Sequence, residues 1–231
     1  MKRTHLLTSI VICLTLWTSA VAQQDVLRNS TADNLPLISP KSGDFDCDIA
    51  DFTGTKRRAC KISIGSGDTV DYKSLDDLLA DLPKSDKEMQ KMHIPDGKES
   101  ERTEFEVGNV RVKAFLYVCK REHGDNDYHI ILSNSPSKSP YMNAECSGFP
   151  TDEDDKSSLK VLTKVRKQFE DFMEGTYCSE KWKDLDGTPV QITGSLFYDV
   201  DHKPGVVGPQ GHRPTTSWEI HPITNIKFLD K

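Results

Sequence analysis

Two stretches near the C-terminal end of the chain alternate between apolar and polar residues. In the first, one face carries Val190, Ile192, Leu196, Tyr198 and Val200. In the second, one face carries Trp218, Ile220, Ile226 and Phe228. A period of two is typical of half-buried β-strands. The sequence therefore predicts two strands, joined over 203–216 by a long irregular loop rich in proline and glycine.

Shorter alternating stretches earlier in the chain predict three more strands. They span 110–118, 128–132 and 141–146. The first two are joined by a turn at 121–126, and the second and third by a loop at 133–140 that is rich in serine and proline.

An apolar stripe at helical spacing predicts a helix over 157–174. Its members are Val161, Leu162, Val165, Phe169, Phe172 and Met173. Either Ser157 or Ser158 is placed to cap its first turn, and Gly175 is placed to end it.

The segment 43–104 is expected to form a small α+β extension. Ser74 precedes a leucine stripe, and Asp77 is placed to complete a cap, which predicts a short helix there. A further helical turn is expected within 85–92. The alternating sequence KISIGSG predicts that 44–71 contains a small hairpin.

The first 22 residues have the pattern of a secretory signal peptide. Lys2 and Arg3 precede an apolar run, and Ala20-Val21-Ala22 is a cleavage site of the A-x-A type. The run is short for a membrane span, and no later run is long enough to be one. We therefore expect a secreted or periplasmic protein that begins near Gln23 with a flexible leader over 23–42.

Five cysteines remain after cleavage: Cys47, Cys60, Cys119, Cys146 and Cys178. An exported protein meets oxidising conditions, so disulfides are expected. Cys47 and Cys60 bracket a short segment with little core of its own, which predicts a bridge between them. A second bridge is expected among the other three, in a pairing that the sequence leaves open.

The charge balance and the motifs narrow the function classes. The chain has 30 Lys and Arg against 36 Asp and Glu, and loss of Lys2 and Arg3 leaves 28 basic residues and a net charge of −8. This excess of acid argues against a protein held to nucleic acid mainly by phosphate contacts. The chain has no CxxC, HExxH, GxSxG or P-loop motif, so several named enzyme classes have no local support.

The order of the predicted elements over 105–231 is β-β-β-α-β-β. This order resembles the OB-fold, a small, partly open five-stranded barrel, and implies a mainly β protein. Staphylococcal-nuclease-like domains share the order, but their arrangement of active-site acids and arginines is not found here. The chain also looks like uncharacterised secreted bacterial proteins with a GxLFYD…H…WEIHP pattern, here 194–199, His202 and 218–222.

If the chain is an OB barrel, the loop after its fourth strand lies beside the loop after its first, where OB domains commonly bind ligands. Six acids and histidines lie at these strand ends, and we expect them to gather at one rim: Asp127, His129, Asp199, His202, Glu219 and His221. Asp201 belongs to the same strand end. His129, His202 and His221 are candidate ligands of zinc or manganese, because imidazole and carboxylate suit both metals.

Three functions fit this pattern. The first is a binding module whose rim holds a divalent metal or an unidentified ligand, such as an oligosaccharide, a peptide or a nucleic acid. The second is a metal-dependent hydrolase of the nuclease or phosphoesterase type, in which an open coordination position activates water. The third is a non-catalytic envelope protein, since polar residues on a wet strand face also occur without any ligand. The sequence leaves the oligomeric state open.

Overall fold

The computed structural model describes residues 47–136 and 138–230, and all of them belong to one compact unit. The predicted signal peptide and leader lie outside these residues. Within the described ranges, no helix combines the length and the apolar character that a membrane span requires.

Short helices and long strands alternate with irregular segments along the chain. The helices are α1 (Arg58–Ile62), α2 (Leu75–Ala80), α3 (Asp86–Met89) and α4 (Leu159–Phe172). The strands are β1 (Thr69–Tyr72), β2 (Asn109–Arg121), β3 (Tyr128–Ser135), β4 (Lys138–Cys146), β5 (Lys183–Tyr198) and β6 (Trp218–Phe228).

The strands form one six-stranded sheet that returns on itself as a ring. Its order is β1-β2-β3-β4-β6-β5, and β5 also pairs with β2. The pairing of β4 with β6 is parallel, and so is that of β1 with β2, whereas the other neighbours are antiparallel. The prediction of a mainly β protein is therefore confirmed, and β1 is a strand that the sequence did not predict.

One face of each strand in the ring contributes to a single hydrophobic core. Tyr128 and Ile130 of β3, Ala144 of β4 and Ile220 of β6 are examples, and Phe169 of α4 packs in the same cluster. Because side chains alternate along a strand, the residues between these positions lie on the opposite face. That opposite face of β3, β4 and β6 carries the candidate site.

Two predictions about the loops and the N-terminal extension are wrong. The predicted loop at 133–140 is mostly strand, since Ser133 pairs with Tyr141 and Ser135 pairs with Lys138. Ladder pairing here outweighs the low strand preference of serine and proline. The predicted hairpin in 44–71 does not form, because Lys61 and Ile62 belong to α1.

The helix predictions hold, with one change of detail. In α2, the Ser74 side chain accepts a hydrogen bond from the Asp77 amide. Ser158 is the N-cap residue of α4, but its hydroxyl donates to the Ile62 carbonyl instead of capping the helix. This bond ties α4 to the end of α1.

The disulfide prediction is wrong, since Cys47 is bonded to Cys178 and not to Cys60. Cys60 lies on α1 with its side chain fully buried, where the Arg57 guanidinium is 3.4 Å from its sulfur. Cys119 and Cys146 are also buried free thiols, so the expected second bridge is absent from the described residues. A cysteine turned into the core cannot reach a partner on the surface.

A buried ion pair fixes the N-terminal segment to the end of β5. Both terminal nitrogens of Arg57 lie 2.7 Å from the Glu106 carboxylate, and neither side chain exposes more than 1 %. Glu106 also accepts from the Tyr198 amide at 2.9 Å, and Arg57 donates to the Tyr198 carbonyl at 3.0 Å. The pair therefore holds both backbone polar groups of Tyr198, the residue just before Asp199.

Removing the carboxylate of this pair should destabilise the protein. Glu106→Gln leaves the Arg57 charge buried without its counter-ion, a change that costs about 3–5 kcal/mol. Urea denaturation measures the loss. Asp171→Asn is the matched control, because its pair with Lys167 is largely exposed and should contribute about 0.5 kcal/mol. Equal effects of the two variants would contradict the expected role of the buried pair.

The cysteine pairing can be read directly from the intact protein. Peptide mapping without reduction should recover Cys47 linked to Cys178, and alkylation should reach Cys60, Cys119 and Cys146 only after unfolding. Cys178→Ser should lower the free energy of unfolding by about 2–5 kcal/mol, since the bridge closes a long loop. A peptide that joins Cys47 to Cys60 would overturn this assignment.

Candidate functional site

The candidate site is a cluster of carboxyl groups and imidazoles on the face of the sheet opposite the core. Sheet register brings them together, because His129 of β3 pairs with Glu145 of β4, and Asn143 of β4 pairs with Glu219 of β6. Side chains at paired positions point to the same face and lie close together. His221 lies two residues after Glu219, so it shares their face.

Unlike the rim expected from the sequence, most of this cluster is buried. Asp127, His129, Glu145, Glu219 and His221 each expose 2 % or less of their surface. The segment 57–62, which contains α1 and is called the covering segment below, lies over them. Its residues Arg57 and Lys61 pack over the ring of Phe197. Phe197 in turn lies 5.4 Å from the His221 ring.

We call Asp127, Glu145 and His221 the inner triad. The Nδ1 atom of His221 is 2.9 Å from Oε2 of Glu145, and its Nε2 atom is 3.4 Å from Oδ2 of Asp127. His129 lies beside the triad, with its Nε2 atom 3.1 Å from Oε1 of Glu145. Glu145 therefore stands between two imidazoles.

We call Asp199, His202 and Glu219 the outer triad. The Nδ1 atom of His202 is 2.8 Å from Oδ2 of Asp199 and 3.8 Å from Oε1 of Glu219. The other oxygen of Glu219, Oε2, is 3.8 Å from Nδ1 of His221. Glu219 therefore links the two triads. The outer triad is the more accessible one, because 34 % of the His202 side chain is exposed.

Three groups of residues each place one nitrogen or oxygen atom per residue within 4.8 Å of the others, which is close enough to hold a metal ion together. They are the inner triad, the outer triad and a third group formed by Asp125, His129 and Glu145. The three predicted histidines thus fall in three different groups. The structure shows carboxylate–histidine groups in place of a centre that all three histidines share.

Many polar atoms of the cluster lack a hydrogen bond, although they lie close to one another. Both imidazole nitrogens of His129 and of His221 are among them, with one carboxylate oxygen each of Asp127, Glu145 and Glu219. Several of these atoms are at ion-pair distance, but their angles do not satisfy a hydrogen bond. Buried polar atoms are nearly always satisfied in folded proteins, so such a concentration of exceptions calls for an explanation.

The carboxylates control the protonation of the two triad histidines. Burial alone would lower the pKa of His221, but the neighbouring Glu145, Glu219 and Asp127 raise it to about 10. The nearby carboxylates of Asp199 and Glu219 raise the pKa of His202 to about 11, although burial acts in the opposite sense. In the absence of any bound cation, both imidazoles are therefore positively charged at neutral pH.

The pKa values of the carboxyl groups in the cluster are shifted in opposite directions. Burial and the nearby Asp125 raise the pKa of Asp127 well above its ordinary value. Burial acts in the same sense on Glu145, but His129 and His221 outweigh it and hold the pKa of Glu145 well below the usual range. Asp199 has a lowered pKa as well, because the adjacent His202 imidazole and the charge of Lys61 overcome burial.

Lys61 is the one lysine of the covering segment that enters the cluster. Its ammonium lies 3.2 Å from Asp125, and only 12 % of its side chain is exposed. Burial lowers the pKa of Lys61, but Glu145, Asp125 and Asp199 raise it well above its ordinary value overall. The cluster thus contains a lysine ammonium group in addition to its imidazoles.

Sequence reasoning found six members of the cluster and missed three: Asp125, Glu145 and Lys61. Asp125 lies in the turn predicted at 121–126. Glu145 lies at the end of a predicted strand, and only the β3–β4 register shows that it faces His129. Lys61 lies in the segment predicted to be a hairpin. Asp201, which the sequence placed at the same strand end, is instead exposed and paired with Lys56 at 2.6 Å.

Comparisons with protein-family models, with curated proteins and with solved structures find no match to this chain. The function is therefore inferred from the geometry of the cluster.

Replacing His221 should destabilise the metal-free protein in a pH-dependent way. An ionised group whose pKa is higher in the folded protein contributes stability that is complete below its unfolded pKa, about 6.5, and is lost as the pH rises towards the folded value. We expect His221→Gln to cost about 3–5 kcal/mol near pH 6 because it breaks a buried ion pair. The difference from wild type should shrink as the pH approaches 10.

Urea denaturation at pH 6, 8 and 10 in the presence of a chelator measures this difference. His93→Gln is the control, because His93 is an exposed histidine outside the cluster. A His221→Gln deficit that stays constant over this range would show that ionisation of His221 does not stabilise the fold.

Proposed function

We propose that the protein is an exported, OB-like protein that binds a divalent metal ion, zinc or manganese, at the inner triad. The observation that carries this proposal is the set of buried atoms without hydrogen bonds in Asp127, Glu145 and His221. A metal ion among them supplies the partner that these atoms lack.

The spacing of the atoms allows coordination at one side of His221. Zinc bonds of 2.0–2.2 Å in a tetrahedral site place neighbouring ligand atoms about 3.3–3.6 Å apart. The contacts of His221 with Glu145 and Asp127, 2.9 and 3.4 Å, involve different nitrogens of one ring, so only one of the two distances can join neighbouring ligands of the same ion. One imidazole nitrogen would bind the ion, while the other N–H keeps a carboxylate as its hydrogen-bond partner, an arrangement common at zinc sites.

The charge of the cluster also supports a divalent cation. Within the cluster, five carboxyl groups surround one ammonium group and three imidazoles: Asp125, Asp127, Glu145, Asp199 and Glu219 face Lys61, His129, His202 and His221. Several carboxylates buried together repel one another, and burying a charge is costly unless it is compensated. A bound divalent ion lowers this repulsion and allows the imidazoles to be neutral, as ligands must be.

Surrounding groups hold the candidate ligands in place. The Asn143 amide donates to Oε1 of Glu145 at 2.7 Å, which leaves Oε2 directed at His221. The Gly148 amide donates to Oδ1 of Asp127, which leaves Oδ2 directed at the same imidazole. Such supporting bonds orient metal ligands and raise affinity.

The OB-like and exported parts of the proposal have their own support. The five ring strands are joined in the order β2-β3-β4-β6-β5, with α4 between β4 and β5, which is compatible with a small Greek-key barrel. Export is supported by the Cys47–Cys178 disulfide and by the signal-like N-terminal sequence.

A metal-dependent hydrolase is the second candidate, and the outer triad favours it. A surface cleft of about 490 Å³ is lined by Asp199 and His202, among other residues. An ion held at this end of the cluster would be reachable by water and substrate. Hydrolysis of model phosphodiesters by the zinc or manganese form, lost in His202→Gln, would support this candidate.

Metal analysis tests the main proposal. Protein purified without chelator should contain zinc or manganese, and the stripped protein should bind zinc again in a calorimetric titration. Replacing a group that only orients a metal ligand lowers metal affinity by about 10–100-fold. Glu145 is a proposed ligand, so Glu145→Gln should lower zinc affinity by at least about 100-fold. Asn143 only orients Glu145, so Asn143→Ala should lower zinc affinity by less. Asp201→Asn, an exposed neighbouring carboxyl group, is the control and should bind as wild type.

Circular dichroism confirms that each variant is folded before binding is compared. Folded wild-type protein that takes up neither metal would overturn the proposal, and the non-catalytic envelope protein would then be favoured. Unchanged affinity in Glu145→Gln would remove the inner triad as the site.

A further inference from the structure

We infer that the outer triad is a second cation position, separate from the inner one and exchangeable with solvent. This inference rests on the proposed function and adds to it, because it assigns two divalent ions of unequal accessibility to one cluster. The residues that would hold the second ion are Asp199, His202 and Glu219.

The two triads repeat one arrangement. In the inner triad, Nδ1 of His221 lies 2.9 Å from Glu145, and in the outer triad Nδ1 of His202 lies 2.8 Å from Asp199. Glu219 lies 3.8 Å from each of these nitrogens, through a different oxygen in each case. A carboxylate with one oxygen directed to each triad is suited to serve two neighbouring cations.

A buried atom without a partner points to a ligand at the outer triad as well. The Nδ1 atom of His202 is buried and has no hydrogen bond of good geometry, despite its short distance to Asp199. Oε1 of Glu219, whose residue exposes only 2 % of its surface, faces the same nitrogen at 3.8 Å. A cation between the nitrogen and the two carboxylates satisfies the imidazole nitrogen.

The outer triad is held in shape by the backbone around it. Oδ1 of Asp199 accepts from the amides of Asp201 and His202, at 2.7 and 3.3 Å, so the chain folds back and returns His202 to Asp199. The Ser217 hydroxyl donates to the His202 carbonyl at 2.6 Å, which ties this turn to the start of β6. Such preorganisation favours binding, because little freedom is lost when the ion arrives.

Accessibility separates the two positions. His221 is fully buried, whereas 34 % of the His202 side chain is exposed beside the cleft that Asp199 and His202 line. A position with three protein ligands and one side open to solvent keeps room for water or for an anionic ligand. The outer ion should therefore exchange faster than the inner ion.

The third group, Asp125, His129 and Glu145, is a weaker place for a second ion. The ammonium of Lys61 lies 3.2 Å from Asp125 and supplies a positive charge there already. Glu145 is also a member of the inner triad, so its carboxylate is engaged by the inner ion. The outer triad has no member in common with the inner triad, and Glu219 faces the two imidazoles through different oxygens.

Zinc stoichiometry and release kinetics test this inference on the full protein. Stripped wild type titrated with Zn²⁺ should bind two equivalents, and a chromophoric chelator should remove one quickly and one slowly. His202→Gln should bind one equivalent and lose the fast phase. Glu145→Gln should keep the fast phase and lose the slow one. Asp201→Asn, with an exposed carboxylate bonded to Lys56, should behave as wild type.

The outcomes separate this inference from the proposed function. If wild type binds one equivalent and His202→Gln keeps it, the second position is wrong and the inner site stands. Two equivalents in both proteins would show that the second ion binds elsewhere. If wild type binds no zinc, the proposed function itself fails. His202 is partly exposed, so its variant should fold, and a thermal melt checks this.

Discussion

The parallel pairing of β4 with β6 is the constraint on which the site depends. It consists of only two register positions, Asn143 with Glu219 and Ala144 with Ile220, yet it joins parts of the chain that are distant in sequence. On one face this pairing adds Ala144 and Ile220 to the core. On the other face it brings Glu145 beside His221. One backbone pairing thus serves packing and the polar cluster at once.

The burial of that cluster has an electrostatic consequence for the N-terminal segment. The segment from Arg57 to Ile62 covers carboxylates that would otherwise be hydrated, so it must carry positive charge of its own. Arg57 is neutralised by Glu106, and Lys61 turns towards the acids. The covering segment therefore contributes a charge to the cluster through Lys61, while Arg57 and Arg58 pair with Glu106 and Asp154.

The sequence predicted the strands and the main helix because their signals are local. Alternation and helical spacing depend on neighbouring residues, and α4 and the strands around Trp218 follow from them. Pairing partners depend on the whole fold, so Cys60 was assigned to the wrong bond and Glu145 was overlooked. The six predicted site residues were found because each lies at a strand end, but alternation alone could not show that another segment would bury them.

The Cys47–Cys178 bond has a consequence for how the cluster opens. Cys47 lies ten residues before the covering segment, and Cys178 lies five residues before β5, so the chain that leads into the segment is tethered to the sheet. Local opening of such a segment does not require the rest of the protein to unfold. A tethered segment returns in an intramolecular step, at a high effective concentration that does not depend on the amount of protein. If the segment opens locally, the disulfide keeps it near the cluster and favours its return over the buried acids.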